Sequence, residues 1–204
     1  RLLVENASEA IFVIQDGMFR FFNIKNIELT GYSKEELTST PFINFVHPDD
    51  REAILDRYLR RIKGEKVPGI NTFRFVDKAG NIRWVEVNSV LISWEGRPAT
   101  LNFLNDITDR KRAEERVRLQ SAALEAAANA IIITDREGVI EWANRAFTAL
   151  TGYPFTEVIH KNPRDLIKSG EQNQAFYKGL WDTILAGKVW RGQIINHRKD
   201  SSLY

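Results

Sequence analysis

A chain of 204 residues, 43% hydrophobic and 27% charged, has the make-up of a globular protein with room for one large or two modest domains. Its formal net charge of +2 sets up no field that would hold nucleic acid or an anionic membrane, and no apolar run approaches the length of a membrane span. Cysteine is absent, which removes disulfides, thiolate nucleophiles, iron–sulfur clusters and cysteine zinc sites together.

The first elements are short. Residues 10–15 are an apolar run, Asp16-Gly17 is a hairpin signal, and residues 18–22 form the return strand. Asn23 is placed to cap a short helix, and Gly31 to end it in the left-handed conformation. Ser33 with Glu36 spells a capping box for the next helix. His47 precedes Pro48-Asp49-Asp50, an acidic start for a longer helix that the spacing predicts to bury Ala53, Ile54, Tyr58, Leu59 and Ile62 before stopping at Gly64. Three strand-like runs follow at 70–76, 82–94 and 99–104, with turns at 78–81 and 95–98. Strands, then helices, then strands indicate an α+β fold on an antiparallel sheet.

The pattern then recurs. The stretch N-I-K-N-I-E-L-T-G-Y at 23–32 matches N-R-A-F-T-A-L-T-G-Y at 144–153, an offset of 121 residues. The same offset pairs Gly17 with Gly138, Glu36 with Glu157, Lys78 with Lys199 and Ile82 with Leu203. A period this long is a duplicated domain, since solenoid repeats run to about 20–50 residues. Ser201 stands where the first copy has Gly80, which strains the turn if it needs a positive φ. The second copy reaches only the equivalent of the first hairpin in the three-strand run, so its last strands are expected to be missing.

Taken in order and twice, these segments resemble the PAS/PAC sensory-box family. The resemblance rests on the two T-G-Y segments, on His47-Pro48-Asp49-Asp50, on K-x-G-N-I-R-W at 78–84 and on Asp106-Ile107-Thr108. It implies two five-stranded antiparallel sheets with short helices over one face: residues 1–107, a helical linker at 108–129, and 130–204 lacking its last strands. It implies an input module, foremost of a sensor histidine kinase, passing a ligand or redox signal to an output domain beyond Tyr204. The alternatives are a ligand-free dimerisation module and the input of a cyclic-dinucleotide enzyme. No secretory signal is visible, and cytoplasm is the default compartment.

The linker holds no glycine or proline. Thr108 or Asp109 is placed to cap it, and Ala113, Val117, Gln120, Leu124, Ala127 and Ile131 mark a heptad seam for a homodimer through helix and sheet. In this family the junction aspartate often pairs with a basic residue, so Asp106, Ile107 and Thr108 are the expected signal junction.

No catalytic set converges. The three histidines are scattered, Glu157 with His160 supplies half a carboxylate metal motif, and residues 187–192 have a phosphate loop's glycines without its Lys-Ser/Thr. No metal site is expected. Asn6-Ala7-Ser8 is a glycosylation triplet by chance. Haem is not expected, because the long helix of the first copy carries no histidine, and no cofactor is expected in that copy. The second copy resembles flavin-binding PAS domains. The resemblance points to FAD or FMN, with Asn162 and Asn196 on the polar edge of the ring, Arg164 on a phosphate and Trp190 against the ring. Pro163 occupies the place of the light-sensing cysteine, which leaves redox sensing.

Overall fold

In the computed structural model, which describes Ala7 and residues 9–204, the chain divides into two compact units, residues 1–115 and 116–204. Asn6 and Ser8 of the glycosylation triplet lie outside the described residues. Among the described residues no helix is long and apolar enough to cross a membrane.

The first unit carries five antiparallel strands in the order β2-β1-β5-β4-β3. Strand β1 (Ala10–Gln15) turns through Asp16 and Gly17, with φ of 53° and 76°, into β2 (Met18–Phe22). Two consecutive positive φ values are the primed turn that matches strand twist, which is why Asp-Gly marks it. Helices α1 (Ile24–Thr30) and α2 (Lys34–Ser39) follow. Gly31 ends α1 at φ 72°, and Ser33 with Glu36 forms the full capping box. Two 3₁₀ turns, Phe42–Phe45 and Pro48–Asp50, lead into α3 (Arg51–Ile62). His47 caps the second turn by accepting the Asp49 amide.

Strands β3 (Ile70–Val76), β4 (Ile82–Trp94) and β5 (Arg97–Asp106) complete the sheet. The turn between β4 and β5 is only Glu95-Gly96, both at positive φ, so Arg97 and Pro98 belong to β5 rather than to the turn. The core joins Phe12, Ile14, Tyr58, Phe75, Val85 and Val87. Asp50 locks α3 to β3, accepting from the Arg74 amide at 2.8 Å and from its guanidinium at 2.7 Å. The Arg74 guanidinium beside it holds the Asp50 carboxyl below the usual carboxylate range.

Helix α3 departs from its expected face. Ile54 and Tyr58 are buried, but Ala53 and Leu59 are exposed, and Arg61 is 7% exposed. Ile62 packs against the core as expected, and the inward residues 54, 57, 58 and 61 keep a three-four spacing that two arginines share.

Helix α4 (Thr108–Ala126) is the expected linker helix. Neither Thr108 nor Asp109 caps it; the Oδ1 of Asp106 accepts the Thr108 amide at 2.8 Å. Ala127 and Ile131, the last two seam positions, fall beyond its end.

The second unit repeats the first in miniature. Strands β6 (Ile132–Thr134) and β7 (Ile140–Ala143) pair antiparallel. Helices α5 (Arg145–Thr151), α6 (Phe155–Val158), α7 (Pro163–Leu166) and α8 (Gln174–Leu185) follow. Past α8 only single bridges form, Lys168 with Asn196 and His197 with Leu203. The first turn is one residue longer here: Phe12 faces Phe22, whereas Ile132 faces Ala143. The offset is thus 120 before that turn and 121 after it.

Beyond the turn the duplication holds in detail. Lys78 donates to Thr30 O and pairs with Glu36 at 2.9 Å. Lys199 donates to Thr151 O and pairs with Glu157. Gly152 ends α5 at φ 78°, as Gly31 ends α1. Ser201 takes φ 70° where Gly80 takes 85°, so the serine does sit in the left-handed region.

Asn144 is fully buried and joins three elements. Its Oδ1 accepts from Ile131 and Phe147, and its Nδ2 donates to Leu124 O and Asn129 O. Asn144→Ala leaves several of these buried groups unpaired and removes a helix cap. It should lower the stability of the second unit by about 3 kcal/mol. Urea denaturation followed at the tryptophans checks this.

Candidate functional site

Two cavities and one junction hold the chemistry. In the second unit, α7, α8 and the β6–β7 hairpin surround a cavity of about 310 Å³. That is the lower end of the range for small-molecule sites. Its walls are largely apolar, from Ile132, Ile167, Leu180, Ile184 and Ile194, with Tyr177 and Trp181 supplying aromatic faces.

Three of the four expected cofactor residues lie here: Asn162, Arg164 and Asn196. Asn162 caps α7, accepting the Arg164 amide at 3.1 Å and donating to Glu137 O at 3.1 Å. That leaves one of its two amide hydrogens for a ligand. Arg164 is exposed at the rim, with Asp165 3.5 Å away. Asn196 is not on a regular strand; its backbone exchanges hydrogen bonds with Tyr204 and it bridges to Lys168.

Trp190 is not among the cavity residues. It packs edge-on against Phe176, ring centres 5.5 Å apart, and its indole lies over Gly192. Trp181 provides the indole instead. A Cβ on Gly138 would meet the Trp181 ring at 2.7 Å, so the glycine is what lets that ring lie against the hairpin turn. The equivalent Gly17 has open space around it. Trp181 went unnoticed in the sequence because no motif surrounds it. The signal available was the helical spacing of Tyr177, Leu180, Trp181 and Ile184. Lys168, with its ammonium 4.7 Å from the Tyr177 ring centre, adds a second cation to the wall.

In the first unit, α3 faces β3, β4 and β5 across a cavity of about 50 Å³. Arg57 and Arg61 stand on the helix side, and the buried polar groups Asn71, Ser89, Thr100 and Asn102 on the sheet side. None of these was singled out in the sequence. The clue was that both arginines keep the register of Ile54 and Tyr58.

The junction sits where β5 becomes α4. Asp106 pairs with Arg83 at 3.1 Å, and Arg83 also pairs with Asp77 at 3.0 Å. Ile107 is buried and donates its amide to Trp84 O, and the Thr108 hydroxyl accepts the Trp84 amide at 3.0 Å. Asp106, Ile107 and Thr108 thus tie the first turn of α4 to strand β4. Burial opposes the charge on Asp106, but the hydrogen bonds from Thr108 and Arg83 outweigh it and hold the carboxyl below its usual range. Among the described residues no cluster of histidine and carboxylate side chains could hold a metal ion. Glu157 is engaged with Lys199, and His160 is exposed.

Residues 21–102 and residues 118–204 each match a family model described as the PAS fold. The nitrogen fixation regulatory protein of Klebsiella oxytoca is 41% identical over 81 residues, covering 40% of this chain and 16% of that protein. The oxygen sensor protein DosP of Escherichia coli (strain K12) is 27% identical over 173 residues, 83% of this chain and 22% of that protein. Among solved structures, a sensory box histidine kinase/response regulator from Burkholderia thailandensis is 23% identical with a TM-score of 0.48, covering 62% of this chain and 97% of that one. A PAS domain from Colwellia psychrerythraea is 28% identical with a TM-score of 0.46, covering 53% and 93%. The chain spans about a fifth of the curated relatives' length.

Asp106→Asn keeps the shape of the junction and removes its charge. It should cost about 1–2 kcal/mol at neutral pH. Because the folded carboxyl titrates below the unfolded value of about 3.9, this contribution is fully present above that value. It fades as pH falls through the folded value. Denaturant titrations of both proteins at pH 7 and near pH 3 should show the difference shrinking in acid.

Proposed function

The chain belongs to the PAS family, in two tandem copies of a sensor domain, and on that premise we propose that it is the ligand-binding input module of a larger cytoplasmic signalling protein. The output we propose is a histidine kinase, with catalysis placed outside this chain. A cyclic-dinucleotide enzyme as output, or a ligand-free interaction module, are the competing readings. The cavity of the second unit supports a ligand: at about 310 Å³ it is within the range of small-molecule sites, and its mostly apolar walls carry a few polar groups.

We assign that cavity to a flavin. A three-ring isoalloxazine needs a flat apolar slot and a few amides for its polar edge. Ile132, Ile167, Leu180 and Trp181 offer the slot, and Asn162 and Asn196 the amides. Arg164 and Lys168, both at the cavity, offer positive charge for FAD or FMN phosphate. The role first given to Trp190 passes to Trp181. The bound flavin would supply reversible electron transfer. The residues of this chain bind it, orient its edge and keep water from its face. The 27% identity to an oxygen sensor protein supports a small-molecule signal.

Purified with excess flavin, the protein should retain a yellow chromophore through gel filtration, and Asn196→Leu should bind it at least tenfold more weakly. A folded, colourless protein that ignores added flavin would overturn the assignment.

We further propose that the module works as a homodimer through α4 and the sheet. Val117, 61% exposed, and Leu124 leave an apolar stripe on α4 with Gln120 between them. Gln120→Leu should tighten self-association severalfold by analytical ultracentrifugation. Unchanged association would count against the seam.

A further inference from the structure

Two arginines face inward from one helix with no acid to meet them. Arg61 is 93% buried by its 7% exposure, and among the described residues no carboxylate lies within ion-pairing distance of it or of Arg57. Arg61 donates to Pro68 O, and Arg57 donates to the Asn71 side chain at 2.8 Å. Those are two neutral acceptors for two forks of five N–H groups each. Both guanidiniums stand one helical turn apart, so they repel. Burial and the nearby Arg57 charge both press Arg61 toward losing its proton. Desolvating an unpaired cation is costly. Folding tolerates such a cost most readily when a counter-ion arrives from outside.

The space beside the arginines says what kind. The cavity measures about 50 Å³, and by that measure one water takes roughly 10–15 Å³. It therefore admits about four non-hydrogen atoms. One end is cationic. The remaining walls mix apolar Phe12, Phe73 and Val87 with the polar side chains of Asn71, Ser89, Thr100 and Asn102. A free phosphate would set some of its oxygens against Phe12, Phe73 and Val87, which offer them no hydrogen bond. A carboxylate with one or two methyl or methylene groups meets both ends.

We propose that the first PAS domain is a receptor for a short-chain monocarboxylate, its oxygens on Arg61 and Arg57 and its alkyl end against Phe12 and Phe73. The site is independent of the flavin assignment, since it lies wholly in the other unit. An empty and a filled state differ by one offset charge on α3, whose far end is locked to β3 through Asp50 and Arg74. That gives the ligand a differential hold on one helix–sheet contact.

The test is thermal unfolding of the whole chain, with the transition of the first unit followed as acetate, propionate, chloride or inorganic phosphate is added at constant ionic strength. Acetate and propionate should raise its Tm saturably, and chloride should not. Arg61→Met should abolish the acetate response while leaving the ligand-free Tm no lower than that of the natural chain, because an unpaired buried charge has been removed. Arg57→Lys, a milder change, should fold normally and weaken acetate binding about tenfold in calorimetry. Equal responses to acetate in Arg61→Met and the natural chain would overturn the proposal. So would a response to phosphate alone, or a ligand-free Arg61→Met that is strongly destabilised without any carboxylate response in the natural chain.

Discussion

In each copy a buried asparagine closes the first hairpin onto the helix that follows, and the rest of the domain is built outward from that closure. Asn23 exchanges bonds with Ile11: its amide donates to Ile11 O, and its Oδ1 accepts the Ile11 amide, both at 3.0 Å. Asn144 does the same with Ile131. Asn144 also accepts the Phe147 amide and so caps α5, whereas Asn23 reaches α1 by accepting from the Asn26 side chain; in both copies one residue fixes the angle between strand and helix. Leucine or alanine would leave those buried amides unpaired, and a carboxylate would add a charge. The second copy asks more of its asparagine. The Nδ2 of Asn144 also collects the carbonyls of Leu124 and Asn129, so the end of α4 is held by the same atom group that holds the core. Glu125 adds a hydrogen bond to the Arg145 amide.

The other end of α4 is anchored by different chemistry. There Asp106 takes the Thr108 amide and an Arg83 guanidinium, and Arg83 carries on to Asp77 in the β3–β4 turn. Asp77 is itself buried and holds the turn through Asn81. One unit thus grips the helix start with a charge-assisted network, and the other grips its end with neutral amides. Middle and ends differ accordingly: the central residues of α4 are exposed and owe their helicity to composition. A displacement of β4 in the first domain acts directly on the first turn of the helix through Ile107 and Thr108.

The elements that were legible in the sequence share a feature: each is written in local residues. The Asp16-Gly17 turn, the Ser33–Glu36 box, the Gly31 and Gly152 stops and the Lys78 and Lys199 turns depend on neighbours a few positions away, and duplication doubled the signal. What was illegible depends on the third dimension. Leu59 reads as core by type but lies on the outer face, because α3 is set by Ile54 and Tyr58 and turns its arginines inward. Trp190 reads as a ring partner by its neighbours in sequence, whereas Trp181 reaches the cavity because Gly138 lacks a side chain. The extra residue in the second hairpin left no mark, since Glu137-Gly138 still looks like Asp16-Gly17.

The two cavities show how one fold can be lined in unlike ways. They lie between equivalent layers, yet one is small and cationic and the other about six times larger and mostly apolar. The difference traces to the long helix of each copy. Where α3 presents arginines against a polar row on the sheet, α8 presents Tyr177, Leu180 and Trp181. The scaffold outside the cavity is preserved, down to the lysine that pins the turn to α1 or α5. Selection could therefore exchange the lining without disturbing the frame, because the clamps at Asn23, Asn144, Lys78 and Lys199 do not touch it. That separation of lining from frame is visible within one chain.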